Sequence, residues 1–159
     1  MSDPPPVFIA AASDFDGFRS WPNIAITIDI APGDSHLNGP RHVFYNRAPA
    51  RGATAFPVGT ILVKQTDPGP LAGRAVFAMV KRGGDYDPTG DVDWEWFELA
   101  NQADGSEVIV WRGPGPAGGG AYGNGPLGGC NACHGSAERT DYVLTPELEE
   151  MIGGDGSGT

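Results

Sequence analysis

Short apolar runs separated by turn residues limit what this 159-residue chain can fold into. Residues 24–30 alternate in polarity and read as a strand. Residues 42–45, 59–65, 75–81, 93–98 and 107–111 follow at similar lengths, with Pro57, Pro68 and the Gly/Asp-rich stretch 83–90 between them. A succession of strands joined by turns predicts an antiparallel sheet of about five strands, with residues 107–111 as a sixth candidate. The 25 glycines and 15 prolines argue against a helical bundle. The fold class expected is α+β, mainly β, with a few short helices. One is placed over residues 14–21 with Asp14 at its N-cap. Another lies over 145–152, where Thr145 stands at the N-cap and Pro146 at the first helical position. Residues 1–12 read as a flexible leader, 13–152 as a single domain and 153–159 as a flexible tail. Between them, the stretch 112–129 is so rich in glycine and proline that it reads as a long surface loop or lid.

Both cysteines of the chain fall in Cys130-Asn-Ala-Cys133-His134. C-x-x-C-H is the attachment signature of a c-type haem: each thiol adds to one vinyl group and the histidine turns to the iron as proximal ligand. C-x-x-C has two other common uses. A structural zinc site needs four Cys or His ligands, and only His36 and His42 remain, without the usual second-pair spacing. A thioredoxin-like disulfide sits in a βαβ setting, whereas this motif follows a glycine-rich loop. One motif implies one haem c.

Covalent haem is attached outside the bacterial cytoplasm, so a periplasmic or other extracytoplasmic location is expected. The first residues carry neither a basic nor an apolar signal region, which reads as a mature form with its signal removed; Pro4–Pro6 suits a linker after a cleavage site or lipid anchor. No run approaches the ~18–20 apolar residues of a membrane span. The formal net charge of −10 opposes binding to nucleic acid or an anionic membrane and is compatible with a basic redox partner.

Strand parity adds a second layer. Leu62 and Lys64 share one face of their strand; Phe77, Met79 and Lys81 share one face of the next. Both strands are apolar on both sides, as in a sheet covered by helices on one face and by a flat cofactor on the other. Lys64 on a leucine-bearing face is then unusual, unless it snorkels at the strand end beside the turn at Asp67.

Three stretches together resemble the cytochrome P-460 family of small, mainly β, periplasmic c-type cytochromes. The first is the strand from Arg41 through Tyr45 followed by F-x-x-G-T-x-x-V-K, from Phe56 to Lys64. The second is Val80-Lys81 and, after the turn, Trp94. The third is C-x-x-C-H followed by T-D-x-V-x-T from Thr140 to Thr145. They span roughly residues 40–146. The resemblance implies a haem on one side of the sheet, His134 as the iron's proximal ligand, and a third covalent bond from Lys64 to the haem ring. It also implies a distal arginine at Arg41, whose other reading is a surface arginine at a strand end, and a homodimer. Where catalytic relatives carry a distal carboxylate, four residues before the lysine matching Lys81, this chain has Phe77. That departure is similar to the gas-binding cytochromes c′-β.

Three functions follow as expectations. The first is an oxidoreductase in which an open iron site oxidises hydroxylamine or reacts with nitric oxide, or with peroxide, with Arg41, Lys64 and Phe77 lining the distal pocket. The second is a non-catalytic NO- or CO-binding protein. The third is a simple electron-transfer cytochrome with Met79, Met151 or His42 as sixth ligand, although Met79 also suits a core position.

Overall fold

The computed structural model describes residues 6–26, 40–66, 76–88, 90–114, 141–143 and 148. They form one open antiparallel sheet of six strands: β1 (Asn23–Ile26), β2 (Arg41–Tyr45), β3 (Ile61–Thr66), β4 (Val76–Lys81), β5 (Trp94–Asn101) and β6 (Glu107–Gly113). Spatial order follows chain order from β1 to β6, every neighbour antiparallel. The β-branched and aromatic residues of β3, β4 and β5 suit a pleated surface covered on both sides, whereas the edge strands β1 and β6 are partly exposed. The sheet thus has six strands rather than five, because residues 107–113 complete it by pairing with β5. That pairing takes Arg112 and Gly113 out of the loop expected to begin there.

The turn between β4 and β5 is built by aspartates. Asp85, Asp87 and Asp93 adopt left-handed backbone angles (φ 58°, 52° and 74°), a region that Asp tolerates better than most residues. Asp85 N–H donates to Asp93 Oδ1 at 2.8 Å, and Asp93 N–H donates to the Tyr86 carbonyl at 2.7 Å. Buried Asp91 lies in the same turn; burial, and then the charge of Asp87, push its carboxyl up to about 7.

One face of the sheet packs Phe44, Ile61, Val63, Val76, Ala78, Val80, Phe97 and Leu99 under the segment carrying Ala10, Phe15 and Phe18. Phe15 meets Phe97 edge-on at 5.2 Å between ring centroids, and Phe18 meets Phe44 at 5.2 Å. Arg112 clamps this side with paired bonds of 2.9 Å to Glu95 and one of 2.7 Å to the Ala10 carbonyl. Part of the expected leader is therefore attached: Ala10 is buried, Val7 bridges to Gly83, and Phe8 N–H donates to the Arg82 carbonyl at 2.8 Å. The helix expected over 14–21 is instead two 3-10 turns, Ala12–Phe15 and Phe18–Ser20, separated by a left-handed Gly17. Asp14 does not cap residues ahead of it. Its side chain reaches back to accept the Ala11 N–H at 2.7 Å.

The opposite face carries Val43, Leu62, Met79, Trp94 and Trp96, with Phe56, Val143 and Leu148 packed on them. Leu148 is helical, and the rest of the helix expected over 145–152 lies outside the described residues. No helix among the described residues is long and apolar enough to cross a membrane.

Candidate functional site

Register places the key side chains. Residues directly opposite across antiparallel strands share a face. Val43 of β2 pairs with Lys64 of β3, Lys64 with Phe77 of β4, Phe77 with Glu98 of β5, and Glu98 with Trp111 of β6. One cross-strand row therefore carries Lys64, Phe77, Glu98 and Trp111. Adjacent strands lie about 4.8 Å apart, so the backbone carrying Glu98 is about 10 Å from that carrying Lys64. A bulge at Glu98/Leu99 adds an extra residue to β6 there. Trp111 donates its indole N–H to Glu98 Oε2 and fixes that carboxylate on the face.

Arg41 pairs with Thr66, two residues along β2 from Val43, so it is the diagonal neighbour of Lys64 on the same face. It is 1% exposed, which removes the reading of a surface arginine at a strand end. Lys64 and Phe77 are half-buried. Leu62, Met79 and Trp96 form the next row of the same face. The expected parities of Lys64 with Leu62, and of Phe77 with Met79 and Lys81, match these rows.

The proposed sixth ligands separate by face. Met79 is 6% exposed and packed in the apolar cluster with Leu62 and Trp96. His42 pairs with Gln65 and lies on the other face, its ring 6.1 Å from that of Phe44. Met151 lies outside the described residues, as do Cys130, Cys133 and His134.

A second polar group sits on the Lys64 face, four residues along β4 from Phe77 and so about 13 Å away. Lys81 Nζ bonds both oxygens of Asp141, at 2.7 and 2.6 Å. Asp141 Oδ2 also accepts the Phe56 N–H at 2.8 Å, and its carbonyl accepts the Trp94 indole N–H at 2.8 Å. Phe56 meets Trp94 at 6.0 Å between centroids, and the Lys81 ammonium lies 5.1 Å from the Trp94 ring. Lys81 and Asp141 are 5% and 7% exposed. The first residue of F-x-x-G-T-x-x-V-K, the lysine of Val80-Lys81, the tryptophan after the turn and the aspartate of T-D-x-V-x-T thus meet at one point.

Lys64 and Lys81 are the only lysines of the chain. They share a face, and the Asp141 carboxylate holds Lys81 there through both its oxygens.

Sequence reasoning missed Glu98. The acidic residues nearest in sequence to β4, Asp85, Asp87, Asp91 and Asp93, all lie in the β4–β5 turn, and Asp85 and Asp93 hold that turn together. The signal available was parity: in the run from Trp94 to Glu98, Trp94, Trp96 and Glu98 alternate onto one face. No group of three or more His, Cys, Asp or Glu among the described residues is arranged to hold a metal ion. Comparisons with known proteins find no relative: no family model, no curated protein and no solved structure matches this chain.

Proposed function

We propose that this chain is a monohaem c-type cytochrome of the cytochrome P-460 kind that oxidises hydroxylamine at an open distal site. The observation that carries the reading is the row Lys64–Phe77–Glu98, with Arg41 diagonal to it, on one face of the sheet. The donor chemistry fits: Cys130 and Cys133 would hold the haem and His134 would take the iron. The face fits too, offering the apolar Leu62, Met79 and Trp96 beside a buried arginine. A haem held there would supply the redox centre and a coordination position for a small ligand.

The remaining chemistry falls to this chain's side chains. Each electron removed from hydroxylamine is accompanied by a proton. Glu98, held by the Trp111 indole, is the carboxylate on this face that would accept it. It takes the part that Phe77 cannot. Arg41 places a permanent cation where it would favour an anionic ligand or product. Lys64 is the amine for a third bond to the haem. Phe77 lies between Lys64 and Glu98, excludes water and favours a compact ligand. That placement also supports a second reading, in which the site captures nitric oxide without turnover.

Steady-state oxidation of hydroxylamine with a soluble electron acceptor separates the two. The enzymatic reading expects turnover well above free haem, and a fall of about 10²- to 10⁴-fold in Glu98→Gln. Tight nitric oxide binding with no turnover would favour capture. Intact mass of the purified protein and of Lys64→Arg reads the haem adduct and its third bond. A wild-type mass equal to the bare chain refutes the cytochrome reading altogether.

A further inference from the structure

We propose that Trp111 and Glu98 form a redox-active pair: a one-electron oxidant takes an electron from the Trp111 indole, and the indole N–H proton passes to the Glu98 carboxylate. The pair lies within β5 and β6 and does not depend on hydroxylamine being the substrate, so it goes beyond the reading above.

The chemistry follows from one hydrogen bond. An indole that loses an electron becomes a strongly acidic radical cation, and the cost of forming it depends on where its proton can go. Trp111 already donates its N–H to Glu98 Oε2. A carboxylate holds such a proton about twice as strongly as a neutral oxygen does. Oxidation then breaks one N–H bond and forms one O–H bond. The products are a neutral indolyl radical and a carboxylic acid, and the electron goes to the oxidant. The proton moves along a contact that exists before the electron leaves, so neither side chain has to be repositioned.

Trp94 is set the opposite way. Its N–H donates to the neutral Asp141 carbonyl, and the Lys81 ammonium lies 5.1 Å from its ring centroid. A positive charge at that distance opposes removal of an electron from the ring. Trp96 stands between the two. It is two residues along β5 from Trp94, about 7 Å, and its partner on β6 is Gly113, which makes Trp111 its diagonal neighbour. All three indoles belong to the Lys64 face, so oxidation anywhere along them runs downhill to Trp111. Trp111 is only partly buried and lies on the last strand of the sheet, where Val108 and Val110 are 43% and 54% exposed. A soluble electron carrier can reach it there. The fourth tryptophan, Trp21, packs beside Phe18 on the opposite face.

The test photo-oxidises the purified protein with a soluble ruthenium polypyridyl complex and an external quencher. Transient absorption separates the neutral radical from the cation, and electron paramagnetic resonance of freeze-trapped samples identifies it as an indole radical. Wild type is expected to give the neutral form, and Trp111→Phe to abolish it. Glu98→Gln keeps an acceptor but no base; it is expected to lower the radical yield about 10-fold and to leave the remainder as the cation. Trp21→Phe is expected to match wild type. A cation radical in wild type overturns the proposal, and so does a wild-type yield of neutral radical in Trp111→Phe or in Glu98→Gln. The wild-type and Glu98→Gln measurements decide the matter even where Trp111→Phe fails to fold. Absence of hydroxylamine turnover would refute the enzymatic reading without altering the radical, so the two failures are distinguishable.

Discussion

Lys81→Met removes one partner of the ion pair and leaves the Asp141 carboxylate buried, with Phe56 N–H still donating to it. Removing one member of a buried pair costs about 3–5 kcal/mol, mostly from the charge left behind. The surviving Phe56 contact places Lys81→Met near 3 kcal/mol. Asp141→Asn strands the Lys81 ammonium instead, again at about 3 kcal/mol. The double variant buries neither charge and keeps an amide oxygen for Phe56, so its cost is about 0–2 kcal/mol. The two single effects are therefore strongly non-additive, with a coupling energy of about 4–6 kcal/mol. At about 2–4 °C per kcal/mol for a chain of this size, Lys81→Met alone lowers Tm by about 6–12 °C and the double variant by about 0–8 °C. Urea unfolding followed by tryptophan fluorescence measures this directly, because Trp94 is part of the cluster. Single variants costing under about 1 kcal/mol, or effects additive within about 0.5 kcal/mol, would refute the coupling.

Gly83→Ala tests the attachment of the N-terminal segment. A Cβ there would lie 2.5 Å from the Pro6 carbonyl and 2.7 Å from Val58, at a φ of +77°; a loss of about 2–4 kcal/mol is expected on denaturant unfolding. Phe15→Ala, which empties a fully buried site against Phe97, is expected to cost about 3–5 kcal/mol by the same assay. The Asp91 carboxyl titrates near 7 in the fold, above its ordinary 3.8, so the native state holds a proton that the unfolded chain releases. Stability is then present in acid and lost as pH rises from about 4 through 7, and Asp91→Asn should flatten that slope and stabilise the protein at pH 8. A slope unchanged in Asp91→Asn would show that another group carries it.

Strand positions were readable because alternation and turn residues are local signals. β3 and β4 were legible down to which side chains share a face, and that was enough to put Lys64, Phe77 and Met79 together. What local pattern does not contain is register between strands. Glu98 reaches the row of Lys64 and Phe77 only because the β4–β5 turn, with three left-handed aspartates, sets that pairing. The Lys81–Asp141 pair joins residues 60 apart. Its sequence trace was a lysine on the apolar face of one strand and an aspartate in a motif, each without a visible partner. Asp14 and Gly17 misled for a different reason. A helix signal over eight residues is short, and a side chain that bonds backward with a glycine three residues on yields two 3-10 turns instead.

The strand order has a consequence in time. Because each strand pairs with the one made just before it, the sheet can zip together hairpin by hairpin with short loop closures. The last strand among the described residues ends at Gly113, well before Cys130 is synthesised. A chain emerging from its N-terminus can therefore present a finished platform before either thiol arrives, and Asp141 docks onto it last. Truncation after residue 114 is expected to leave a fragment whose β signal by circular dichroism survives, whereas truncation after residue 90, which removes β5 and β6, is expected to abolish it.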